Sequence, residues 1–463
     1  MSYTFINLTR LVLVLAIVAY GGCCNTMESD TTILEQADAA YREGRFTEAE
    51  GLYHSVLKVD SGNVRALEQT GILALWKNDL VNAESSLQSA LKSVSFFKRH
   101  WPLNTQTVTR MAIVYVRSGR FDEAAALLNR AAGPLPLGPF KAIKTRARQL
   151  EQFKGEAPYQ IEGSEETTIP FVITDPLPVV KVSINGSDPV NFNIDTGGEG
   201  ILLDADFAKE VNAVIVGEIA EEYAGGKRGK TGYGKIHTLR MGDVSVRNVP
   251  MSSIDMKPIS TMVFDGMDIK GVIGTGFLMQ FLATIDYPNR QLVLRKSGTA
   301  EYEVGESAEV SGSRHIFPFW LVETHLIFVE GSIMQLEPGK MFIDTGLAGA
   351  GFLASKKIYT KAGVDMDWSK AAMGMGGGGM TMGLGVFVDK VTLGTGSGAV
   401  TRRNINGVVF KNDISLFNNA LGFKVAGLIS HEFFRPYAVT FDFVNMNIII
   451  TGHIIGTNQD SSL

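Results

Sequence analysis

The feature that most constrains this chain is an internal duplication. Gly271-Val272-Ile273-Gly274, Phe277-Leu278 and Ala283-Thr284-Ile285-Asp286-Tyr287 are followed by the apolar run Leu292-Val293-Leu294. The same pattern returns 156 residues later as Gly427-Leu428-Ile429-Ser430, Phe433-Phe434 and Val439-Thr440-Phe441-Asp442-Phe443, followed by Ile448-Ile449-Ile450. Self-similarity over so long a stretch means that one supersecondary pattern is built twice, so residues from about 165 to 455 read as two related lobes. Short apolar runs bounded by Gly, Asn and Pro are strand signals. The 50 glycines among 463 residues accompany 45% apolar content, which fits tight β turns rather than disorder.

Each lobe also contains Asp-Thr-Gly, at Asp195-Thr196-Gly197 and Asp344-Thr345-Gly346. A single copy is ordinary turn chemistry. Here each copy closes an apolar, strand-like run, Asn191-Phe192-Asn193-Ile194 and Met341-Phe342-Ile343, so two carboxylates are aimed from strand ends. Two carboxylates at hydrogen-bonding distance cannot readily both ionise, so they hold one proton between them and titrate as a unit. The ionised partner is then a general base for a water, and the protonated one a donor to a substrate carbonyl. That chemistry uses no metal and no cofactor.

The doubled apolar-Asp-Thr-Gly, glycine-rich hairpin and apolar pair resemble the aspartic peptidases of the pepsin and retropepsin type, over roughly the C-terminal two-thirds of the chain. The resemblance implies a bilobal, mostly β domain hydrolysing peptide bonds, with Asp195 and Asp344 as catalytic dyad at the lobe interface. It implies that Thr196 and Thr345 bond to the backbone of the opposite lobe, that Gly197 and Gly346 bring their amides to the carboxylates, and that the apolar pairs before Gly274 and Ser430 brace them. The family usually has Ser or Ala after Asp-Thr-Gly, where this chain has Gly198 and Leu347, and Ser430 stands where lobe one has Gly274. These departures make unequal roles for the two aspartates the expectation. They also leave a second reading open, a peptide-binding module without turnover.

Between each aspartate and its apolar pair lies a glycine-rich strip. Residues 224–231 match a degenerate phosphate loop, but the alternating run from Lys235 to Asp243 reads as a strand rather than the helix such a loop requires. In the peptidase family this segment is a flap that covers substrate, which makes Gly232, Tyr233 and Gly234 candidate substrate contacts. The second strip runs from Gly374 to Gly385 and includes Gly378 and Gly379, readable either as a second flap with adaptable methionines or as a low-complexity loop.

The N-terminal third differs in kind. Gly44, Phe46, Ala49, Tyr53 and Leu57 align with Asn78, Leu80, Ala83, Leu87 and Leu91 at a period of 34, and Gly119, Phe121, Ala124 and Leu128 give a third copy after a longer gap. Ala37, Gly71 and Ala112 take the small position of each first helix. This resembles tetratricopeptide repeats, an α-helical solenoid that would recruit a protein substrate or partner. The inserted segment with Phe96, Phe97, His100, Trp101 and Pro102 reads as packing under the next helix, with an exposed loop that binds a partner as the alternative, and Lys141 to Phe153 as one more helix that caps the array.

Arg10 precedes a ten-residue apolar run, Leu11 to Tyr20, and then Gly21-Gly22-Cys23-Cys24. The run is short for a membrane span and suits a secretory signal. Its ending resembles a bacterial lipoprotein signal, which would make Cys23 the lipidated residue, with Cys24 competing and plain secretion the alternative. The expectation is an exported, extracytoplasmic protein held at a membrane by a lipid anchor. Cys23 and Cys24 are the only cysteines, so the folded domains hold no disulfide. A formal charge of −5 gives no basic footprint for nucleic acid.

The expected division is therefore a signal at 1–23, a tether at 24–32, tetratricopeptide-like repeats at 33–133, a helix and linker at 134–164, lobe one at 165–305, lobe two at 306–455 and a tail at 456–463. The fold class is multidomain α plus β, a helical solenoid followed by a bilobal pepsin-like domain.

Overall fold

The 156-residue repeat of the sequence becomes a pseudo-two-fold arrangement of strands. The computed structural model describes residues 24–93, 105–134, 138–222, 228–297, 313–376, 379–411, 418 and 420–452. In lobe one, Val190–Ile194 pairs in parallel with Ile269–Ile273, whose other edge pairs antiparallel with Ile201–Asp204, itself parallel to Val244–Ile254. Lobe two repeats the scheme: Gly339–Ile343 is parallel to Val425–Ile429, which pairs antiparallel with Phe352–Leu353, itself parallel to Val400–Phe410. Ile269–Ile273 and Val425–Ile429, flanked by a strand on each side, each end in three consecutive buried residues, as strands covered on both faces do.

A six-stranded sheet joins the lobes, with Phe281–Asp286 antiparallel to Tyr437–Asp442 at its centre. Thr284 lies opposite Thr440, its own counterpart in the duplication, with the two hydroxyls 2.8 Å apart. The pseudo-two-fold axis therefore passes beside this pair. On either side the order is mirrored, out to Glu166–Pro170 in one direction and Arg314–Pro318 in the other.

Six helices form three antiparallel pairs: α1 (Cys24–Arg42) with α2 (Phe46–Val59), α3 (Val64–Trp76) with α4 (Leu80–Ser93), and α5 (Thr105–Arg117) with α6 (Phe121–Ala132). The turn inside each pair carries Gly44, Asn78 or Gly119, all in the left-handed region (φ +78°, +61° and +74°) where Gly and Asn are tolerated. Ala49, Ala83 and Ala124 are fully buried where the helices meet. The segment with Phe96 to Pro102 lies outside the described residues.

The edge of the array formed by those turns is packed onto lobe two. Tyr41, Phe46 and Trp76 share one buried cluster with Trp320, Phe328 and Phe423, and Phe46 meets Phe423 edge-on with ring centroids 4.9 Å apart. The Lys340 ammonium, buried in this interface, sits 3.5 Å from the Trp320 ring centre and bonds Glu330 at 2.6 Å. Arg117 donates to the Leu321 and Glu323 carbonyls, and Arg110 pairs with the Glu323 carboxylate at 2.9 Å. Helix α7 (Pro139–Glu151), the expected cap, does cover the array, through Ala147 against Ala124 and Leu128. It also reaches lobe one, where the Gln149 amide donates to the carbonyls of Gly234 and Met251, both at 2.9 Å. The helical array thus contacts both lobes.

Candidate active site

Each Asp-Thr-Gly begins where its strand ends. The Asp195 amide donates to the Ile273 carbonyl at 3.0 Å and the Asp344 amide to the Ile429 carbonyl at 2.9 Å, so the apolar pairs do brace the aspartates of their own lobes. The motifs then interlock across the axis. The Thr196 amide donates to the Thr345 hydroxyl and the Thr345 amide to the Thr196 hydroxyl, each at 3.0 Å. The same hydroxyls donate onward to the carbonyls of Ile343 (3.0 Å) and Ile194 (3.4 Å). Both threonines are fully buried, and every polar atom involved has a partner in the other lobe.

This lock brings the Asp195 and Asp344 carboxyls into a mutual hydrogen bond. Gly197 donates its amide to Asp195 at 2.8 Å and Gly346 its amide to Asp344 at 2.9 Å. Each glycine also lies against the aspartate of the other lobe. A methyl group on Gly346 would come within 2.2 Å of the Asp195 carboxyl carbon, and one on Gly197 within 2.7 Å of an Asp344 oxygen. Only glycine allows two carboxyls to approach this closely between two backbones.

The pair is electrostatically unequal. Burial raises both acids above the ordinary aspartate range. For Asp195 this is opposed by the hydrogen bond from Asp344, the amides of Gly197 and Gly198, and nearby His325. For Asp344 burial is reinforced by the negative charge of Asp195, and the Gly346 amide is its one backbone donor, so it is held well above the usual range. Asp344 is thus raised further than Asp195, and the two carboxyls titrate as one unit.

Four neighbours, His325, Thr324, Glu199 and Arg146, were not singled out in the sequence. His325, from the turn between Trp320–Val322 and Leu326–Ile333 of lobe two, places Nε2 3.1 Å from the Gly197 carbonyl and Nδ1 2.8 Å from the Thr324 hydroxyl. Burial pushes Glu199 up, but Arg146 of α7, with His325 and Thr324, outweighs it and holds Glu199 below the ordinary range. The only local signal was Glu323-Thr324-His325, a polar triplet between two apolar runs.

The departures from the family pattern have local explanations. A side chain at Gly274 would strike the carbonyls of Gly198 (2.5 Å) and Gly200 (2.7 Å), whereas Ser430 fits and spends its hydroxyl on the Leu347 carbonyl at 2.6 Å. Leu347 packs toward the array's aromatic cluster.

The flap candidates are placed differently from one another. Strands Val214–Glu222 and Arg228–Met241 form the expected hairpin, but Gly232, Tyr233 and Gly234 lie at its base, where the second strand also pairs with Val244–Ile254. Tyr233 is buried under the Arg146 guanidinium, 4.3 Å from the ring centre, and is not at the hairpin tip. Lobe two carries the matching hairpin of Ala372–Gly376 and Gly379–Leu393, with Gly379 paired to Gly376. Gly378 and Cys23 lie outside the described residues. Among the described residues, no group of three or more His, Cys, Asp or Glu is placed to hold a metal, and no helix is long and apolar enough to cross a membrane.

The model of the aspartyl protease family matches residues 180–277, and the tetratricopeptide repeat model matches residues 34–96. The chain carries an aspartyl-protease-type domain behind tetratricopeptide repeats. The aspartyl protease match covers the core of lobe one, and lobe two is tied to it by the duplication and the mirrored topology. No curated protein matches the sequence significantly. Among solved structures, the chain is similar to an aspartic proteinase from Irpex lacteus, at 11% identity and a TM-score of 0.40, over 63% of this chain and 99% of that one.

Proposed function

We propose that the aspartyl-protease-type domain is an aspartic endopeptidase that uses Asp195 and Asp344 as its dyad, on a protein or peptide substrate. The observation that carries this reading is the mutual hydrogen bond of two half-buried carboxyls, each facing the other lobe's glycine backbone. The Asp195 carboxylate takes a proton from a water as the water oxygen bonds to the substrate carbonyl carbon. Asp344 gives its hydrogen to the carbonyl oxygen, producing a neutral tetrahedral diol. Asp195 then returns its proton to the amide nitrogen while one diol hydroxyl gives its proton back to Asp344, so the C–N bond breaks to leave an acid and an amine and the dyad regains its starting protonation. Thr196, Gly197, Thr345 and Gly346 hold the two carboxyls in register through the bonds described above. The hairpins of Val214–Glu222 with Arg228–Met241 and of Ala372–Gly376 with Gly379–Leu393 border the substrate. The repeats recruit a protein substrate or partner through surfaces other than the turn edge, which lobe two occupies. In this reading the chain is exported and tethered to a membrane by lipid at Cys23.

The test is cleavage of an unstructured protein from acidic to neutral pH, with and without a pepstatin-type inhibitor, beside Asp195→Asn and Asp344→Asn. Expected is inhibitor-sensitive turnover that both substitutions abolish. Turnover surviving either substitution overturns the dyad assignment, and absence of turnover at every pH favours the peptide-binding module. Metabolic labelling with a radiolabelled fatty acid, compared with Cys23→Ala, tests the anchor.

A further inference from the structure

The polar network that surrounds Glu199 runs from the helical array to the dyad, and the hydrogen count along it is not fixed. The Gly197 carbonyl can only accept, so His325 Nε2, 3.1 Å away, must carry a hydrogen. The Thr324 hydroxyl faces two partners, His325 Nδ1 at 2.8 Å and the Glu199 carboxylate, but has one hydrogen to give. With a neutral ring, Nδ1 accepts that hydrogen and Glu199 loses the donor. With a protonated ring, Nδ1 donates to Thr324, whose own hydrogen turns to Glu199, and a positive charge stands beside Asp195.

We propose that His325 is a positioning residue for Asp195 whose proton is set by the Glu199–Arg146 ion pair, so that helix α7 of the repeat array acts on the dyad through Thr324. Its link to turnover rests on the dyad reading above, whereas its link to titration rests on the network alone. Three charged groups act on the imidazole: Asp195 and Glu199 from lobe one and Arg146 from α7. The Glu323 carboxylate, from His325's own turn, is paired instead with Arg110. Burial pushes the His325 proton off, and so does Arg146; Glu199, Asp195 and the bond to Gly197 hold it on. The two halves of one ion pair therefore act on the imidazole with opposite signs.

That opposition gives the test. Long-range ¹H–¹⁵N spectra of the full chain with labelled histidine, with His325→Gln identifying the resonance, report tautomer and titration midpoint whether or not the protein turns over. A neutral ring protonated on Nε2 is expected. Glu199→Gln should lower the midpoint and Arg146→Gln raise it, each by about half a pH unit or more. If Glu199→Gln fails to fold, the rise in Arg146→Gln carries the test. In activity profiles His325→Gln, which can still donate to Gly197, should keep KM and move the acidic limb of kcat upward, because no cation then helps Asp195 stay ionised. A neutral ring protonated on Nδ1, or midpoints that move the same way or not at all in the two variants, overturns the proposal. A chain without turnover at any pH overturns the peptidase reading instead, and the spectra still decide this one.

Discussion

Thr196 and Thr345 each accept the other's backbone amide at 3.0 Å, so the two lobes are joined at the residues next to the two carboxyls. Position and stability are therefore linked at this point. Thr196→Val keeps the shape but leaves the buried Thr345 amide without an acceptor, which costs about 1–3 kcal/mol. Thr196→Ser retains the hydroxyl and should recover most of that loss. Chemical denaturation measures the difference, and cleavage assays should follow the same order because the dyad's spacing depends on the same bonds.

Gly346 has no room for a side chain. A methyl group there would lie 2.4 Å from both Asp195 carboxyl oxygens, closer than any non-bonded carbon approaches, so backbone or carboxyl must move. A displacement approaching 1 Å at a reacting group costs on the order of 100-fold in rate. Gly346→Ala is expected to lower kcat by about that factor while the circular dichroism spectrum stays native. Gly200→Ala is the control, since nothing lies within 4 Å of a methyl group there, and its kcat should be close to that of the native chain.

Burial gives Asp344 a pH signature independent of turnover. Its carboxyl is held well above the usual range in the folded chain, so folding favours the protonated form. That contribution is fully present below the unfolded value of about 4 and is lost as pH rises through the raised folded value. Above this window the ionised group opposes folding. Asp344→Asn removes the ionisation, so its melting temperature should exceed the native one near pH 7, with the gap shrinking toward pH 4. Thermal melts across that range measure it, and a gap that widens on acidification would contradict the assignment.

The sequence carried the duplication because symmetric burial imposes the same pattern twice. Thr284 and Thr440 occupy equivalent places in the repeat and meet at the axis. The turns at Gly44, Asn78 and Gly119 were equally legible, since a left-handed backbone restricts the residue type. Contacts between domains carry no such local mark. Trp320 and Phe423 look like any strand or loop aromatic, and only the assembled chain shows them covering Phe46 and Trp76. Tyr233 reads as a flap residue because the glycines beside it suggest mobility, yet a third strand and Arg146 hold it at the hairpin base. His325 sits in no motif. Its importance comes from a lobe-two turn reaching Gly197, which the spacing of residues does not encode.

The aromatic seam between the array and lobe two makes the repeats part of one folding unit. Phe46 is essentially inaccessible and contacts Phe423 edge-on across the domain boundary. Phe46→Ala and Phe423→Ala should each destabilise the whole chain by about 3–5 kcal/mol, as deletion of a buried ring does. If the seam couples the domains, the double variant will cost less than the two single losses combined, by at least about 0.5–1.5 kcal/mol for an edge-on pair. Denaturation followed by helix and by strand signals should give coincident transitions in the native chain. Additive losses with separate helical and strand transitions would instead mean that the repeats fold as an independent module and that α7 has no rigid base from which to act on lobe one.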